Sequence, residues 1–187
     1  MTEPPCTPGQ TVGPFFHLRL PYPADSNLVG DGRPDGIRLH RTVYDGAGDG
    51  IPDALVELWQ PDSAGRIARQ AGSLRRDPTV FTGWGRCATD AAGHYAFTTV
   101  TPGSASAARP PFFALTVFAR GLLNRLFTRA YLPDGDLDAD PLLAAVHSRR
   151  RETLLCVTES GCAAHRFDIH LQGPDEIVFL EFRGDAR

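Results

Sequence analysis

The chain contains no lysine: all nineteen of its basic residues are arginine. Against 22 acidic residues they leave a formal charge of -3, and the longest basic run is Arg149-Arg150-Arg151. Three adjacent charges read as a solvated face or a local ion-pair cluster rather than a polyanion-binding patch, so nucleic acid is not an expected partner. No apolar run approaches the ~20 residues that span a bilayer. The opening Met1-Thr2-Glu3-Pro4-Pro5 lacks the basic start and apolar core of a secretory signal, so no membrane role is expected and a cytoplasmic location is. Four cysteines (Cys6, Cys87, Cys156, Cys162) form no Cys-x-x-Cys pair and match no zinc spacing. Free thiols in a reducing compartment are the expectation, with a Cys156–Cys162 hairpin disulfide as the alternative.

What is present is a series of short apolar segments punctuated by turns. Ile37–Tyr44, Ala54–Gln60, Gly85–Thr89, His94–Val100, Phe112–Ala119, Leu126–Leu132, Ala164–Gln172 and Ile177–Phe182 read as strands. Phe167, Ile169 and Leu171 alternate with Asp168, His170 and Gln172, the pattern of a strand buried on one face. Asp140-Pro141-Leu142-Leu143 reads as the start of one short helix, with Asp as its cap and Pro in its first turn. Seven or eight strands and one helix predict an all-β, antiparallel β-sandwich. A length of 187 residues suits one domain: an N-terminal arm and lead-in over 1–36, and the sandwich over 37–187. The arm, Thr7-Pro8-Gly9-Gln10-Thr11-Val12-Gly13-Pro14-Phe15-Phe16, is too rich in Pro and Gly for a regular helix and ends on two aromatics.

Four motifs taken together resemble the intradiol ring-cleaving dioxygenases, from about Thr7 to Phe182. They are Val56-Glu57-Leu58-Trp59-Gln60-Pro61-Asp62-Ser63-Ala64-Gly65, Gly85–Phe97, Val100-Thr101-Pro102-Gly103 and Arg109-Pro110-Pro111. Those enzymes hold a non-haem ferric ion on a β-sandwich and open catechol rings between the two hydroxylated carbons. Thr7–Pro14, Phe118-Ala119-Arg120-Gly121, Arg150–Leu154 and Arg166-Phe167-Asp168-Ile169 resemble the alpha chains of the two-chain members, whose homologous beta chain carries the iron.

The departures point the same way. The family's site uses two tyrosines and two histidines, donors that suit Fe(III). The resemblance puts the histidine positions at Phe112 and Ala114, and neither side chain can ligate a metal. The family's tyrosines would fall between Arg66 and Phe81, where there is none, and after Pro102-Gly103, where Ser104, Ala105 and Ser106 stand. His165 and His170, five apart on an expected strand, face opposite sides and make no substitute cluster. No metal site is therefore expected in this chain, and the Fe(III) is expected in the partner beta subunit of an (alpha-beta)n hetero-oligomer.

The resemblance implies O2-dependent cleavage of a small aromatic substrate, 3,4-dihydroxybenzoate, to 3-carboxy-cis,cis-muconate. No residue of this chain is expected to be catalytic; its share is substrate binding. From the residues alone, Arg129 is a strand arginine between Phe127 and Tyr131. The resemblance makes it the contact for the substrate carboxylate, and it places Thr11, Gly13 and Pro14 at the pocket rim. Arg109 then reads as a relic or an ion-pair partner, and Asp168 and Glu57 as strand-face residues. The alternative is a stand-alone sandwich module that binds aromatics without catalysis.

Overall fold

The computed structural model describes residues 10–13, 15–69, 76–106 and 109–182. Among these residues nine strands form two sheets: β1 (Gly36–Tyr44), β2 (Leu55–Trp59), β3 (Trp84–Ala88), β4 (His94–Val100), β5 (Phe112–Phe118), β6 (Leu126–Tyr131), β7 (Val157–Thr158), β8 (Ala164–Arg166) and β9 (Ile169–His170). One sheet runs β4-β1-β8-β7, with β9 also on β1; the other runs β3-β2-β5-β6. The expected β-sandwich is present.

The core lies between the sheets because each strand turns alternate side chains inward. Leu39 and Val43 of β1 and Tyr95 and Phe97 of β4 meet Val56 and Leu58 of β2 and Phe113, Leu115 and Val117 of β5, all fully or almost fully buried. Two loops close against each other at the end of β4. Gly103 N–H donates to the Asp62 carbonyl at 2.8 Å, while the Asp62 carboxylate accepts from Ala64 N–H and Arg66 N–H, each at 2.9 Å. A Cβ on Gly103 would meet the backbone of Ser63 and Gly65, so the glycine permits this closure.

Several expectations need correcting. The sandwich is not wholly antiparallel, because β8 and β9 both run parallel to β1. The expected strand Ala164–Gln172 is broken after Arg166. There the Asp168 carboxylate accepts from Thr42 N–H at 3.4 Å, and the Phe167 carbonyl takes the buried Tyr95 hydroxyl at 2.6 Å. Side chains thus occupy backbone groups that a continuous ladder would use, although Phe167 and Ile169 point inward as expected. Ile177–Phe182 forms no strand; its one ladder pairing with the sheet is the isolated bridge Phe127 to Leu180, beside a hydrogen bond from Thr128 Oγ1 to the Val178 carbonyl at 2.8 Å. Three short α-helices among the described residues replace the single expected one: α1 (Phe16–Arg19), α2 (Pro141–Ala145) and α3 (Ser148–Arg151). Cys87, Cys156 and Cys162 are free thiols, so Cys156 and Cys162 do not pair; Cys6 lies outside the described residues. No described helix is long and apolar enough to cross a membrane.

One pH prediction arises here. Burial holds the His165 imidazole below its ordinary pKa of 6.5. Below about pH 6.5 the unfolded chain takes up a proton that the folded chain resists, so stability falls as pH drops through that range. The urea midpoint of His165→Gln should lose less between pH 7 and pH 5 than that of the unmodified chain.

Candidate functional site

The outward face of the second sheet carries the candidate site. Pairing places Trp59 of β2 opposite Ala114 of β5, and Ala114 opposite Arg129 of β6. Directly paired residues share a face. Phe112 sits opposite Tyr131 one step along, and Glu57 and Phe127 flank Thr116 one step the other way. The two expected ligand positions therefore lie on one face, with a phenyl ring and a methyl group in place of imidazoles. Trp59 is 54% exposed. Small Ala114 leaves a step between that indole and the arginine.

Arg129 is held on three sides. Its guanidinium carbon lies 4.1 Å from the centroid of the Phe112 ring, a cation–π distance. Its Nη1 donates to the Tyr131 hydroxyl at 3.1 Å and to Asp140 Oδ2 at 3.3 Å. The Tyr131 hydroxyl in turn donates to the same Oδ2 at 2.8 Å. Asp140 is 1% exposed, and its other oxygen caps α2 by accepting from Leu142 N–H at 2.9 Å, as the Asp-Pro start predicts. Burial, reinforced by the neighbouring Asp140 carboxylate, pushes the Tyr131 phenol up to about 12. The phenol stays protonated across the working pH range and remains a donor. The Arg129 side chain keeps 17% of its surface open, and no protein acceptor among the described residues occupies its Nε or Nη2. A partly open guanidinium with one edge fixed can take a carboxylate on its other edge.

The other expected site residues lie elsewhere on this side of the molecule. Thr11 Oγ1 accepts from Gly121 N–H at 2.8 Å, and Phe16 packs on Phe118 with centroids 5.7 Å apart. The arm thus crosses the far end of β5. From Phe118 to Ala114 the strand covers about 13 Å at its usual rise, so within one chain Thr11 and Arg129 do not touch. Among the described residues a Cβ on Gly13 would meet nothing within 4 Å. Pro14 lies outside the described residues. Arg109 forms no ion pair among the described residues; its carbonyl accepts from Ser104 Oγ at 2.5 Å. Glu57 lies 3.7 Å from Arg86, a strand-face pair as expected. His165 and His170 diverge: the first lies 6.4 Å from the Phe113 ring, the second stacks on Tyr44 at 4.6 Å.

A ferric ion does not fit these residues. At the ligand-position face it would meet Phe112, Ala114 and a fixed guanidinium, and the described residues hold no group of three or more His, Cys, Asp or Glu arranged to bind a metal.

Asp140 is the site residue that the sequence hides. Its Asp-Pro context marks it as a helix cap, but nothing in the chain order signals that a cap eleven residues from Arg129 also pairs with it. Phe112 stands out in the sequence as a missing ligand and not as a platform.

The family profile described as Dioxygenase matches residues 11–173. The chain belongs to this dioxygenase family and is a subunit of an intradiol ring-cleaving enzyme, a class that depends on iron. It is 35% identical to the protocatechuate 3,4-dioxygenase alpha chain of Burkholderia cepacia, over 97% of this chain and 100% of that one. It is 36% identical to the alpha chain from Pseudomonas putida, over 95% and 97%, and 34% identical to the Burkholderia cepacia beta chain, over 89% and 75%. Among solved structures it resembles the dioxygenase domain of a carbohydrate-binding fusion from Streptomyces sp. SirexAA-E, with a TM-score of 0.61 at 21% identity, over 92% and 100%. It also resembles hydroxyquinol 1,2-dioxygenase from Pseudomonas putida DLL-E4, with a TM-score of 0.59 at 18% identity, over 87% and 66%. Those two establish the sandwich fold.

Proposed function

We propose that this chain is the alpha subunit of a protocatechuate 3,4-dioxygenase in the cytoplasm. It pairs with a homologous beta chain that carries the Fe(III), in an (alpha-beta)n assembly. The enzyme cleaves 3,4-dihydroxybenzoate with O2 to 3-carboxy-cis,cis-muconate. The observation that carries this reading is the face built by Phe112, Ala114 and Arg129. It offers no group that could hold the metal and presents a partly open cation suited to the substrate's carboxylate. In a pocket shared with the beta chain, Arg129 anchors the carboxylate and fixes the ring's orientation toward the partner's centre. Thr11, Gly13 and Pro14 of the arm form the rim. Nothing among the described residues crowds the Gly13 Cα, which suits the close approach of a partner's backbone.

Co-expression with a homologous beta chain is the test. The two chains should purify together in equal amounts, with one iron per pair and O2 uptake on protocatechuate. Stoichiometric iron in this chain purified alone, or a monomer that ignores the beta chain, would overturn the proposal.

A further inference from the structure

We infer that Tyr131 and Asp140 are positioning residues for Arg129, and that Phe112, at one of the family's ligand positions, serves as the platform on which the guanidinium lies. The inference deepens the proposed function and rests on Arg129 meeting a carboxylate.

A free arginine side chain samples many rotamers, and fixing it costs entropy each time a ligand binds. Here that cost is met within the chain before substrate arrives. Both contacts of Nη1 are taken by Tyr131 and Asp140, and the flat face of the group rests on Phe112. The edge left for a ligand is the one formed by Nε and Nη2. This is a two-donor fork whose spacing matches the two oxygens of a carboxylate. Asp140 is itself fixed, because its second oxygen is bound to the backbone of α2. Tyr131 is fully buried and packs in a small cluster with Leu143 and Leu154. The fork is therefore oriented by the second sheet and α2 together. The buried carboxylate also offsets the arginine's charge, so the pocket without substrate does not hold an uncompensated cation in a partly desolvated place.

Tyr131→Phe removes one hydroxyl and leaves the ring packing in place. In the assembled alpha-beta enzyme it should lower the preference for protocatechuate over catechol by about three- to tenfold, the scale of one hydrogen bond. The loss should fall mainly on KM for protocatechuate. Calorimetric titration with 4-hydroxybenzoate should show weakened binding by the same factor, independent of turnover. Asp140→Asn should act in the same direction with a larger effect. In an Arg129→Leu background, Tyr131→Phe should change neither the preference nor the titration. An equal effect of Tyr131→Phe with and without Arg129, or an equal loss on both substrates, would overturn the positioning role while leaving Arg129 in place. If Arg129→Leu alone leaves the preference unchanged, the proposed carboxylate contact fails and this inference with it.

Discussion

Replacing Arg129 by leucine in the assembled enzyme should lower kcat/KM on protocatechuate by roughly 10- to 150-fold relative to catechol, equivalent to the ~1.5–3 kcal/mol carried by a charge-assisted contact. Catechol brings no carboxylate to the fork, so the ratio of the two specificity constants isolates the contact. The substitution has a second consequence that must be separated from the first. It leaves Asp140, 1% exposed, without its cation, and removing one partner of a buried pair costs about 3–5 kcal/mol of stability. The double variant Arg129→Leu with Asp140→Asn removes both charges together. It should recover much of the lost thermal stability while leaving the preference for protocatechuate as low as in the single variant. Equal losses on both substrates in that double variant would refute the assignment of Arg129.

Phe113→Ala should damage the fold far more than any substitution on the outward face of the same strand. Phe113 is the inward neighbour of Phe112 on β5, fully buried in the main core. Truncating a core phenylalanine removes about 3–5 kcal/mol, a large share of the ~5–15 kcal/mol that holds a typical domain together. For a chain of this length the midpoint should fall by roughly 6–20 °C in a thermal melt. Phe112→Leu, one residue away on the opposite face, should shift the melt far less and instead weaken 4-hydroxybenzoate binding, because it removes the guanidinium's platform. The pair of variants separates the two faces of one strand: Phe113 inward in the core, Phe112 outward beneath the Arg129 guanidinium. A large loss of stability in Phe112→Leu together with a small one in Phe113→Ala would contradict this register.

The strands of the second sheet are legible because their sequence obeys period two. Phe113, Leu115 and Val117 alternate with Phe112, Ala114 and Thr116, and the structure places β5 within a residue of the expected bounds. The order of motifs is enough to reveal the family. Legibility fails where side chains replace backbone partners. The apolar alternation through Phe167 and Ile169 promises one strand, yet the Asp168 carboxylate and the Tyr95 hydroxyl interrupt the ladder. Ile177–Phe182 has strand-like composition, but most of its residues find no ladder partner, and Phe182 instead packs edge-on to Phe127 at 5.2 Å. Parallel pairing of β8 and β9 with β1 is invisible in the sequence, since composition does not encode strand direction. At the site, Arg129 draws notice through its aromatic neighbours in sequence. Its restraint by Asp140 comes from a loop and helix that return to the sheet, a tertiary fact with no local signature.

The place of β1 in its sheet has a consequence for biosynthesis. This early strand is bordered on one side by β4 and on the other by β8 and β9, whose register pairs Val43 with Ile169. During translation its second edge stays bare until β8 and β9 have left the ribosome. Contacts of such long sequence separation slow folding and prolong the exposure of unpaired strand edges to aggregation. Chains trimmed before Ala164 should therefore accumulate in inclusion bodies even though they keep all four strands of the second sheet.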